Sequence, residues 1–221
     1  MSAYPEPVRL RFPDEGRLPW LAPLLDAYFT IDQGVQAGVR AAEGRGRRLA
    51  CANGCSACCR THLTIPVYPL ELMGLYWYCS ERLGDDLRRR VADQLRAHVA
   101  GQPCPFLVDG SCSVHPMRPI ACRQFNVFDK VCAEGEDAFH TRRGDVLTPI
   151  RRFADRAFDR MLPFYGISGR QERHEAIKTG RLHALARVLQ ELDWARLAER
   201  MEGAGANPVA NARGTAAEPG P

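Results

Sequence analysis

Cys51, Cys55, Cys58 and Cys59 lie within nine residues of one another, and Gly54 among them allows the positive dihedral that a chain wrapping a metal ion needs. Ligands this close in sequence cost little loop entropy to bring together. A sparser group follows: Cys104 precedes Pro105, Cys112 follows the turn Asp109-Gly110-Ser111, Cys122 follows Pro119, and Cys132 closes the series. Each stands beside a turn former, which puts its sulfur on a bend. Eight such sulfurs suit two four-cysteine sites, or one site with reactive cysteines left over. Neighbouring side chains of an extended segment point opposite ways, so Cys58 and Cys59 are expected to divide between two sites, or between a site and a free thiol. Four thiolates in tetrahedral array suit zinc and iron–sulfur clusters alike. The ninth cysteine, Cys79, sits in an apolar stretch beside Tyr78 and reads as a small core residue.

Other chemistry is sparse. His62, three residues past Cys59, is a candidate ligand for a mixed cysteine and histidine site, while His98, His140, His174 and His183 read as polar surface. Cys51-x3-Cys55-x2-Cys58 has the spacing used by radical S-adenosylmethionine enzymes, but Ala57 precedes the third cysteine and no alternation of strands and helices follows. No Ser-His-Asp, paired-carboxylate, P-loop or dinucleotide pattern accompanies it.

The elements that must hold the cysteines are mainly α. After a Pro-rich arm over 1–19, Leu21, Leu24, Leu25 and Phe29 predict a helix over about 20–40, broken at Gly44–Arg48 and followed by loop to Pro66. Pro69 opens a second helix with Leu70, Met73 and Trp77 on one face, ended by Gly84. Asp85 or Asp86 caps a third, whose stripe is Leu87, Val91, Leu95 and Val99. A hairpin of these two helices would return Cys104 to Cys59. Residues 101–149 show no sustained period, so bound metal is expected to order them. Helical periodicity resumes with Phe153, Ala157, Met161 and Phe164, then with Ile177, Leu182, Leu185, Val188, Leu189 and Leu192, ending near Met201; 202–221 reads as a disordered tail. The expected architecture is one small helical domain over 20–201, organised around a cysteine-rich, loop-dominated metal-binding core over 51–132.

The chain has 221 residues and a formal charge of +4, with 30 basic residues scattered in small groups against 26 acidic, which argues against a nucleic-acid partner. No secretory h-region and no membrane-length apolar run is present, so the reading is cytoplasmic, without a membrane. A reducing compartment in turn favours metal binding over disulfides.

Cys51-Ala-Asn-Gly-Cys55-Ser-Ala-Cys58-Cys59, then Cys104-Pro-Phe-Leu107, then Gly110-Ser-Cys112-Ser-Val114-His-Pro-Met-Arg118-Pro119-Ile-Ala-Cys122-Arg123, together resemble the bacterial YkgJ-like cysteine-cluster family, a zinc- or iron-chelating domain. The resemblance spans about 50–132. It implies metal ligation by Cys51, Cys55, Cys58, Cys59, Cys104, Cys112, Cys122 and Cys132, and it tilts the cofactor towards an iron–sulfur cluster, with zinc as the alternative. Similar proteins are linked to flagellin lysine N-methylation, so the implied role is redox or protein-modifying, methyl-transfer-like chemistry on a protein or small-molecule partner. The alternatives are a non-catalytic structural zinc module and a metal or thiol delivery protein. His115 stands where the family often has Tyr. Arg118 and Arg123 match the pattern and would offset thiolate charge or bind an anion, unless they pair with an acid such as Asp109 or Asp129.

Overall fold

The computed structural model describes residues 4–205. Leu21, Leu24, Leu25, Tyr28, Ile31, Val35 and Val39 recur at three- and four-residue steps and are all buried, which makes α1 (Leu21–Glu43) the spine of the fold. Its other face admits a helix at very close range. A Cβ at Gly34 would lie 2.7 Å from Phe153 Cβ, and one at Gly38 would lie 2.8 Å from Leu147, so glycines let α7 (Arg151–Met161) and the residues before it lie against α1.

Two further helices form the expected hairpin, α3 (Pro69–Glu81) and α4 (Asp85–Ala97), both packed against α9 (Ala195–Gly205). Trp194, just before α9, is 2% exposed and donates its indole N–H to the Leu189 carbonyl. Five-residue helices α2 (Ala57–Thr61) and α5 (Ile120–Gln124), four-residue α6 (Ala138–Thr141) and α8 (Arg170–Lys178) complete the helical set. Strand β1 (Pro66–Val67) pairs antiparallel with β4 (Arg187–Val188), and β2 (Leu107–Val108) with β3 (Ser111–Cys112). The turn between the latter two is Asp109-Gly110, both residues at positive φ (49° and 75°), the conformation that suits a two-residue hairpin.

Several expectations are corrected. The stretch from 48 to 66 is not all loop, because Cys58 and Cys59 lie in α2; residues 101–149 likewise contain β2, β3, α5 and α6. Gly84 is extended (φ −62°, ψ 153°) and opens α4 as its cap instead of ending α3, while Asp85 and Asp86 fall in the first turn. Met73 and Val99 point outward, Val99 lying past the end of α4. The run from Ile177 to Met201 is not one helix: Gly180, at φ 66°, breaks it into α8, β4 and α9 joined by 3-10 turns. Residues 4–19 are irregular but seated, since Arg9 bonds Asp26 (2.9 Å) and Glu15 (2.7 Å) and Phe12 packs edge-on to Trp77. Of the anticipated tail, 202–205 continue α9, and 206–221 lie outside the described residues. No helix among the described residues is long and apolar enough to cross a membrane.

Candidate metal centre

The α3–α4 hairpin brings Cys104 back to Cys59: the Cys104 N–H donates to the Cys59 carbonyl at 2.9 Å, and the two thiols are hydrogen-bonded. Around this junction is a cavity of about 680 Å³ lined by Cys51, Cys55, Cys58, Cys59, Cys104, Cys112 and Cys122. All are free thiols. Cys104 stands on the loop between α4 and β2, and sequence neighbours deliver the other six from four directions. Cys51 and Cys55 come from the loop that Gly54 turns at φ 78°, Cys58 and Cys59 from α2, Cys112 from β3, and Cys122 from α5.

Cys122, Cys58 and Cys59 are thus helical, not on bends. The extended geometry expected to separate Cys58 from Cys59 is absent, yet consecutive residues of an α-helix still diverge by about 100°. Cys51 is close enough to feel the charges of Cys55, Cys58 and Cys132, whereas Cys122 feels those of Cys58, Cys59 and Cys112. Cys132 lies outside the cavity wall; it packs beside Val127 and accepts a hydrogen bond from Arg142 at 3.7 Å. Cys79 is fully buried in α3, as expected of a core residue.

Among the described residues no three His, Cys, Asp or Glu side chains converge as they stand on one point that could hold a metal ion. The sulfurs instead surround a space. Burial raises the Cys51 thiol to about 11, and the Cys104 thiol raises Cys59 to about 12 by hydrogen bonding. Burial also lifts Cys122 well above the ordinary thiol value, so metal-free these groups are protonated at neutral pH and binding a cation must expel protons. The donor set is soft, crowded and almost free of hard competitors, which fits zinc or iron.

Polar side chains finish the lining. Arg118 donates to His115 Nε2 at 2.9 Å, and burial pushes His115 down to about 4, so the imidazole is a neutral acceptor. The Arg118 Nε is buried without a partner, and its charge favours the Cys112 thiolate. Neither arginine pairs with the anticipated acids. Asp109 is taken by Arg90 and Asp129 by Arg47, while Arg123 (5% exposed) binds Asp32 at 2.7 Å and two backbone carbonyls. At another part of the lining, His62 Nε2 meets Asp137 Oδ1 at 3.1 Å, with Phe125 edge-on to the ring at 4.2 Å. Burial lowers His62, so the neutral ring gives its Nε2 proton to the carboxylate and keeps a lone pair on Nδ1, the pattern common to metal-bound histidines. Asp137, Phe125 and His140 were not foreseen as lining residues; 75 positions separate His62 from its acid partner, and no local signal joins them.

Residues 50–142 match the family model CxxCxxCC, described as a "Putative zinc- or iron-chelating domain". No curated protein and no solved structure matches the chain. The first interval here is three residues where the family label has two, and it is Gly54 that accommodates the longer turn. The thiol-lined cavity falls within this matched stretch save for one wall residue, Leu189, and the match supports metal binding by the segment. The segment 50–142 is thus similar to this cysteine-cluster, zinc- or iron-chelating family, and it is carried within a mainly helical chain.

Proposed function

We propose that the cavity is an iron–sulfur centre with two four-thiolate groups, Cys51, Cys55, Cys58 and Cys132 on one side and Cys59, Cys104, Cys112 and Cys122 on the other, serving redox or protein-modifying chemistry. The observation that carries the reading is the chamber itself. Seven thiols face about 680 Å³ of shared space, far more than a mononuclear ion with its ligands at about 2.3 Å fills, and the donors are almost purely thiolate. Cys51 and Cys132 have their electrostatic neighbours in the first group, and Cys59 has Cys104 and Cys112 from the second, while Cys58 also acts on Cys59, Cys112 and Cys122 and so stands at the junction of the two. When bound, a cluster would supply one-electron exchange. Arg118 offsets thiolate charge, the hydrophobic wall of Phe106, Val114 and Ile65 excludes water, and His62 with Asp137 can hold or pass a proton at Nε2.

One observation favours a structural zinc in the second group: Cys59, Cys104, Cys112 and Cys122 join α2, the β2–β3 hairpin and α5, and closing them on one ion would staple three elements that share few other ladders. Anaerobic purification, with metal, sulfide and visible-spectrum analysis, decides between them. Brown protein with iron and acid-labile sulfide is expected; colourless protein with stoichiometric zinc overturns the iron reading. Cys51→Ser and Cys122→Ser should each remove about half of the metal and Cys79→Ala none, because a neutral hydroxyl is a poor substitute for thiolate. Equal metal in all three variants would refute the ligand assignment.

A further inference from the structure

Behind the wall made by β1 and α5 lies a second cavity of about 500 Å³. Pro66 and Ala121 line both cavities, so the two share a partition one residue from Cys122. The inner surface is apolar, built from Ile120, Ala154, Phe158 and Leu182. The Phe158 ring stands edge-on at 5.1 Å to both Tyr68 and His183, and the Tyr68 Oη lies 2.7 Å from His183 Nδ1. Burial keeps the phenol protonated, so Tyr68 can donate to Nδ1, which leaves Nε2, the nitrogen away from Tyr68, as the ring's N–H donor. At the rim Arg151 is engaged by Asp155 at 3.4 Å. Lys178 and Gln124 make no side-chain hydrogen bond or ion pair with any described residue. A water-facing lysine is ordinary by itself. Here it stands with an unengaged amide and an imidazole N–H around an apolar floor, the arrangement of a small-ligand site: an apolar body with a few converging donors.

We propose that this second cavity binds a small organic carboxylate with a flat apolar body, the body lying against Phe158 and Leu182 and the carboxylate meeting Lys178, Gln124 and His183. The three groups offer donors and one full positive charge, while the only acid on the rim is already paired with Arg151. A neutral or cationic ligand of the same shape would leave the ammonium without a counter-charge on desolvation. The site is independent of whether iron or zinc occupies the cysteine cavity.

Isothermal titration of the full chain, as purified anaerobically, with 2-naphthoate and with neutral 2-naphthamide tests this. Saturable one-to-one binding of the carboxylate is expected, weaker by about ten-fold or more for the amide and for Lys178→Glu, a change on an exposed helix end that leaves the fold alone. Ala154→Trp, which fills the cavity, should abolish binding with metal content unchanged. Absence of saturation, equal affinity for the amide, or full affinity in Lys178→Glu overturns the proposal.

Discussion

Glu71 is the buried acid that ties the cysteine cavity to the helical core, and replacing it with Gln has a calculable effect. The carboxylate, 0% exposed, accepts the Ile120 N–H at 2.7 Å and the Tyr68 N–H at 3.0 Å, fixing the start of α5 to the start of α3. Burial pushes its pKa up to about 7 from an ordinary 4.5, despite these two bonds and nearby Arg123. The folded state therefore binds more protons than the unfolded chain between those values, and stability from this group falls as pH rises through the window. A difference of about 2.5 units corresponds to about 3 kcal/mol, present below about pH 4.5 and gone above about pH 7. In Glu71→Gln that dependence vanishes, while an amide N–H now opposes one backbone donor at a cost of about 1–3 kcal/mol. Urea denaturation of both proteins at pH 5 and pH 8 is the assay, read as the wild-type minus variant difference, in which pH effects on metal loading cancel. The variant should be clearly less stable at pH 5 and close to wild type at pH 8. A constant difference across the range would refute the assignment of Glu71 as a carboxyl kept neutral by burial.

Arg123→Ala should destabilise by about 3–5 kcal/mol, since it strands the Asp32 carboxylate and empties the space over Tyr28, where the guanidinium now sits 4.1 Å from the ring centre; Asp32→Asn in the same background should recover part of the loss in a denaturant titration. Stripping the metal should speed hydrogen exchange across 104–132, where two-residue strands, short helical turns and isolated bridges hold the backbone, while α1 and α7 keep their protection; unchanged exchange in 104–132 would count against metal as the organiser of this region.

Long amphipathic stripes were legible because each buries one face against a neighbour, so Leu21 to Val39 announces α1 and Val91 with Leu95 announces α4. The return of Cys104 to Cys59 followed from the hairpin those stripes imply. The short helices α2 and α5 were not legible, since five residues cannot display a period. The apolar residues from Ile177 to Leu192 keep helical spacing through a left-handed glycine, which tertiary contact with β1 then turns into a strand. At the site, residue types and spacing identified the thiols. Their company was hidden: Asp32 reaches Arg123 across 91 positions and Asp137 reaches His62 across 75, and neither pairing leaves a local trace.

Gln190 is fully buried, and its amide takes the Ile65 N–H at 3.1 Å and gives a proton to the His62 carbonyl at 2.7 Å, while its own carbonyl receives the Gly101 N–H and His98. One amide from beyond the family segment thus fastens the chain on both sides of the cysteine hairpin. On a ribosome, every cysteine has emerged long before residue 190 is made, so a nascent chain would offer eight unclosed thiols to whatever metal or oxidant it meets. Excising 50–142 as an expression unit would therefore remove the clasp along with the flanking helices.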